Sequence, residues 1–162
     1  MLRSGIHIPM RFREFLQQQT MPNDGMREEK NDILKTLSRI PRSHSSLVRG
    51  YRWKFHAGNT LNGDDEHVGY IDDGTKEIAV AGPWHYAREF TVLHEVAHKV
   101  WEAFVSREMR EEWSGIVRAT KNRQDQSDEE LFCMAYAATY CKHPPLIHYH
   151  KKWVEFVKGL PS

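Results

Sequence analysis

A chain of 162 residues, 40% hydrophobic and 28% charged, has the make-up of one ordinary globular domain with a real core. Its 23 basic and 22 acidic residues leave a formal net charge of +1, so no strong field draws it to nucleic acid or acidic lipid. Met1–Pro9 lacks the apolar core and cleavage site of a secretory leader, and no apolar run reaches ~18 residues. No membrane span is expected, and the chain reads as cytoplasmic, or as secreted if a leader has been removed.

Residues 1–22 hold no sustained period and read as a tail or loosely docked arm; 23–162 read as a single domain. Asn23 or Asp24 can cap a helix running to about Ile40, with Met26, Ile33, Leu34, Leu37 and Ile40 on one face. Pro41 interrupts it, and a short second helix ends at Gly50. The period then changes. Tyr51, Trp53, Phe55 and Ala57 alternate with Arg52, Lys54 and His56, the pattern of a half-buried strand. Val68–Ile71 and Lys76–Ala81 flank Asp72-Asp73-Gly74, a hairpin signal, and Gly82-Pro83 closes the strand region.

From His85 to Phe104 the helical period returns. Leu93, Val96, Ala97, Val100, Trp101 and Phe104 fall on one stripe. A helix over Ser106–Ala119 follows, anchored by Met109, Trp113, Ile116 and Val117. After the polar loop 121–126, Ser127 opens another with Leu131, Phe132, Ala135 and Ala138. Pro144-Pro145 starts the last, with Leu146, Tyr149, Trp153, Phe156 and Leu160 buried. The order of elements predicts an α+β fold: a small mixed sheet of about three to four strands packed on a mainly helical domain. Cys133 and Cys141 share one predicted helix about 12 Å apart along its axis, too far to pair there. Two free thiols suit a reducing compartment, and each reads as a small buried apolar residue.

The chemistry sits in His94-Glu95-Val96-Ala97-His98. Histidines four apart on a helix leave from one face, one turn apart, and two neutral imidazoles so placed can reach one Zn²⁺. Glu95, rotated off that axis, is placed to take a proton from water beside the metal and return it to a leaving amine. A catalytic zinc needs a third ligand and an open position. The compact third histidine of metzincins is missing. Asp128, Glu129 and Glu130 are the candidates, although Ser127 with Glu130 also reads as a capping box.

Phe90–Phe104 (FTVLHEVAHKVWEAF), followed after one intervening helix by Asp128–Tyr140 (DEELFCMAYAATY), resembles the lethal-factor-like zinc peptidases, the family of the anthrax lethal factor catalytic domain and the secreted Pro-Pro endopeptidases. The similarity runs from about Ile33 to Leu160. It implies a zincin-like domain, Glu130 as the third ligand beside His94 and His98, and Glu129 pointing away. It further implies that an extended peptide pairs with an edge strand at Ala79, Val80 and Ala81, with Trp84 and His85 on the cleft rim. Two positions depart from the family pattern. Met134 stands where its signature has a second Glu, and Arg123 stands where it has the tyrosine that stabilises the oxyanion. Arg123, Tyr140 or Tyr70 could take that role, and Glu102 could orient His98.

The expectation is thus a monomeric zinc endopeptidase, with Zn²⁺ as cofactor, Glu95 as general base and a peptide or protein as substrate. Two alternatives stand beside it: a cytosolic peptidase cleaving a regulatory protein, and a zinc-stabilised binding module with little or no turnover.

Overall fold

The computed structural model describes residues 4–7, 26–56, 67–81, 86–120, 126–142 and 151–162. Within them lie four strands and six helices: β1 (Ser4–His7), α1 (Met26–Leu37), α2 (Arg42–Ser45), β2 (Arg52–His56), β3 (His67–Asp72), β4 (Glu77–Ala81), α3 (Tyr86–Phe104), α4 (Arg107–Ala119), α5 (Asp128–Tyr140) and α6 (Lys151–Lys158). The fold is α+β, a small mixed sheet against a mainly helical body. No helix among the described residues is long and apolar enough to cross a membrane.

Helix α1 buries Ile33, Thr36 and, past its end, Ile40, with Leu37 packed beside them. Leu34 is 57% exposed, contrary to expectation, because it sits about 100° round the helix from Ile33 and falls off the stripe. Pro41 precedes α2, a 3₁₀ turn over Ser46–Val48 follows, and Gly50 stops the run at φ 86°. His44 on α2 is buried: Tyr136 Oη lies 2.9 Å from its Nδ1 and the Pro161 carbonyl 2.8 Å from its Nε2. One imidazole thereby ties α2 and α5 to the C-terminus.

The strand order is β1-β3-β4-β2. β3 and β4 form the expected antiparallel hairpin, pairing Gly69 with Val80 and Ile71 with Ile78. Asp72 Oδ1 accepts from the Gly74 and Thr75 amides at 3.0 and 3.3 Å, and Lys76 takes the left-handed position at φ 52°. β2 lies parallel to β4 on its other side, with Lys54 opposite Ala79 and His56 opposite Ala81. β1, from the segment read as a tail or arm, adds to the outer edge of β3 with Gly5 opposite Tyr70.

This topology corrects one expectation. Ala79 and Val80 lie in an interior strand, fully buried, with partners in both β2 and β3, and the equally buried Ala81 pairs with His56 of β2. Their amides and carbonyls are committed to the sheet and are not available to an extended substrate. The hairpin is local and legible. The parallel insertion of β2 against β4 depends on a crossover that no local signal encodes.

Helix α3 lies between the sheet and α5, and every residue from Phe90 to His98 is buried. An element predicted to bury one stripe is therefore enclosed on nearly all sides, which is how His94 and Glu95, on different faces, can both be dry. Ser106 and Ser127 cap α4 and α5, accepting from the Met109 and Glu130 amides at 3.2 and 3.1 Å. Beneath the α3–α5 crossing, Trp113, Phe132, Trp153 and Phe156 interlock at ring separations of 5.1–6.3 Å. Trp113 Nε1 also donates to the Asp128 carbonyl at 2.7 Å, fixing the first turn of α5. Trp113→Ala is expected to cost about 3–5 kcal/mol, since removing a fully buried indole leaves a cavity and loses its hydrogen bond to the first turn of α5. Urea denaturation checks this, and a loss below ~1 kcal/mol would remove Trp113 as the anchor of α5.

Candidate metal centre

Helix α3 projects His94 and His98 towards the first turn of α5, one helical turn apart. Both Nε2 atoms meet a single carboxylate. Glu130 Oε2 accepts from His94 Nε2 at 3.0 Å, and Glu130 Oε1 lies 3.3 Å from His98 Nε2. Glu130 forms only half of the expected capping box. Its amide satisfies the Ser127 cap while its carboxylate turns to the histidines.

Glu129 does not point away. Its Oε1 accepts from His98 Nδ1 at 2.8 Å, so it fixes the ring from behind, as carboxylates commonly do for metal-bound histidines. Glu102, considered for that role, instead pairs with Lys99 at 2.6 Å on the surface. A further side chain joins the group. Cys133, one turn beyond Glu130, is buried with Sγ and the ring nitrogens of His94 and His98 all within 4.8 Å of one another.

Glu95 is wholly buried, and neither carboxylate oxygen has a hydrogen-bond partner among the described residues. It lies under β3 at Gly69, where a β-carbon would stand 2.7 Å from Glu95 Oε1 and 2.8 Å from Thr91 Cγ2. Only glycine lets the strand approach so closely. Burial pushes the Glu95 carboxyl up to about 8, against a smaller opposing pull from His98. Burial lowers His94, leaving a neutral imidazole, although Glu130 works the other way. For Glu130 burial opposes ionisation, yet the imidazoles of His94 and His98 standing against it outweigh that and hold the carboxyl well below its usual range. Burial likewise opposes charge on His98, but Cys133, Glu129 and Glu130 together raise it, so without an ion the ring carries a proton.

Imidazole and carboxylate are donors that zinc accepts, and both rings stand against the Glu130 carboxylate, a donor set that suits a divalent ion. A metal bound here has to displace the His98 proton. Of the other residues expected at the site, Arg123, Trp84 and His85 lie outside the described residues. Tyr140 is ten residues past Glu130, about 15 Å along α5. Its ring stacks 4.9 Å from Tyr136, out of reach of the site. Tyr70 alternates with Gly69 and so faces away from Glu95, donating to Glu77 Oε1 at 2.6 Å. Neither tyrosine serves as the oxyanion stabiliser. Sequence reasoning weighed Glu129 as a ligand and then turned it away from the site, missed Gly69, and took Cys133 for packing alone. The i, i+3 spacing of Glu130 and Cys133 and the lone glycine within a strand were the available signals.

Comparison with protein-family models, with characterised proteins and with solved structures finds no match.

Two outcomes follow from this geometry. Glu130→Ala is expected to weaken zinc binding by well over 100-fold and Glu129→Ala by about 10–100-fold, in competition with a chromophoric chelator; the reverse order would transfer the ligand role to Glu129. The second concerns the ion-free protein. Because burial raises Glu95 from its ordinary 4.5 to about 8, its contribution to stability is complete below about 4.5 and is lost as pH rises through about 8. Glu130, depressed, acts below this window. His94, lowered, and His98, raised, act within it through the unfolded imidazole near 6.5, with opposite signs and in both proteins alike, so the difference between the two slopes belongs to Glu95. Urea midpoints with chelator present should therefore fall between pH 5 and 9 in the parent chain, and Glu95→Gln should flatten the slope. An equal slope in both proteins would refute the assignment.

Proposed function

We propose that this chain is a zinc-dependent endopeptidase in which His94, His98 and Glu130 hold the ion and Glu95 is the general base. The observation that carries the reading is a fully buried, unpartnered Glu95 carboxylate next in sequence to a histidine that shares one carboxylate with its neighbour a turn away. An unpaired buried carboxylate is costly, and such cost is expected where a proton must be accepted. The resemblance of Phe90–Phe104 and Asp128–Tyr140 to lethal-factor-like peptidases points the same way.

Zinc held there would polarise a peptide carbonyl and acidify water. The protein's own residues do the rest. His94 and Glu130 anchor the ion, and Glu129 orients His98 through Nδ1. Glu95 takes the proton of the attacking water on a carboxylate oxygen and delivers it to the departing amine nitrogen. Its raised affinity for protons suits both halves of that transfer.

A second reading is a zinc-stabilised binding module. It is favoured by the orientation of Tyr70 and Tyr140, which leaves the oxyanion without a tyrosine donor among the described residues. Digestion of a peptide library by the zinc-loaded protein separates the two. A peptidase cleaves, and Glu95→Gln keeps one zinc per chain while losing at least ~100-fold in rate. Full zinc occupancy with no peptide cleaved would establish the binding module.

A further inference from the structure

Cys133 belongs to the buried core and also stands beside the two histidines. It lies three residues after Glu130 on α5, so both side chains leave the same face of that helix, towards α3. Its sulfur is fully buried and shares a space of at most 4.8 Å with ring nitrogens of His94 and His98. Edges of a tetrahedral zinc site measure about 3.4–3.6 Å, so a small inward movement of the sulfur and the two imidazoles brings those three to bonding geometry. The histidines point to a ligand independently of the thiol. His98 is 3% exposed and its Nε2 has no hydrogen-bond partner, although Glu130 Oε1 is 3.3 Å away.

Resting on the metal-centre reading above, we infer that Cys133 is itself a ligand, completing a closed His94, His98, Glu130 and Cys133 coordination sphere in the resting protein. On loading, the S–H proton is released to solvent and the thiolate sulfur binds the ion. Two consequences follow. A thiolate donor selects zinc and similar soft or borderline ions over magnesium, calcium and manganese. A four-coordinate sphere also has no position for water, so an open site requires the sulfur to leave. Cys133 then acts as a built-in occupant of the reactive position.

Cobalt(II) is the probe, added to the full-length protein under reducing conditions. The expected spectrum has intense tetrahedral d–d bands together with a sulfur-to-cobalt charge-transfer band in the near ultraviolet. That band should vanish in Cys133→Ala and persist in Cys141→Ala. Cobalt uptake without the band, or a band that survives in Cys133→Ala, overturns the thiolate ligand and leaves the metal centre standing. Failure to take up any cobalt or zinc overturns both. Should Cys133→Ala misfold, X-ray absorption on the zinc-loaded parent chain decides the matter, through a sulfur neighbour at about 2.3 Å or its absence.

Discussion

The crossing of α3 over α5 governs both the core and the site. It sets His94 and His98 against Glu129, Glu130 and Cys133, and it shuts Glu95 from water between the helix and β3. A charge taken out of water is tolerable only beside its counterpart. Glu130 stays ionised because two imidazoles face it, and His98 holds a proton because two carboxylates and a thiol surround it. Separate the helices by a few ångströms and each group would be left with the cost of burial alone.

The surrounding structure is arranged to hold that crossing. Trp113, Phe132, Trp153 and Phe156 interlock beneath it, and Trp113 binds the backbone of the very turn that carries Glu129 and Glu130. Ser127 caps that turn through the Glu130 amide, so the backbone is fixed without engaging the carboxylate. At the far end of α5, Tyr136 is tied through His44 to the C-terminal Pro161 carbonyl. Rigid support at both ends suits side chains that must keep their relative positions to within a fraction of an ångström. The unpaired Glu95 oxygens, with His94 Nδ1 and His98 Nε2 beside them, are among the buried polar atoms that the described residues leave without a hydrogen bond, and such departures concentrate at functional sites.

The sheet's part in this is close approach. Gly69 lets β3 lie directly on Glu95, excluding water from one side of the carboxylate and raising its proton affinity. β4, expected to meet substrate, serves as the hydrophobic centre of the sheet, its hydrogen bonds shared between β2 and β3. Any peptide that pairs with this sheet must do so at an outer strand.

Element type and order were legible in the residues, because period, caps and turn chemistry are local. The helix over His94–His98, the Ser106 and Ser127 caps, the Asp72 turn and the stop at Gly50 all depend on residues within a few positions of one another. The histidine pair was legible for the same reason, since i, i+4 spacing alone puts two histidines on one face. What spacing could not decide was which residues from other elements would stand opposite them. Leu34 was turned outward by the position of the core, and β4 was placed inside the sheet by a crossover. Glu129 was drawn to His98, and Cys133 became a neighbour of the histidines. The pairings and contacts among these span 25 residues or more and are set by how amphipathic and buried faces pack together rather than by any local pattern. The sequence by itself determined that a helix would offer His94, Glu95 and His98. The tertiary structure decided what they face, because only packing sets the distance, dryness and charge that turn those side chains into a site.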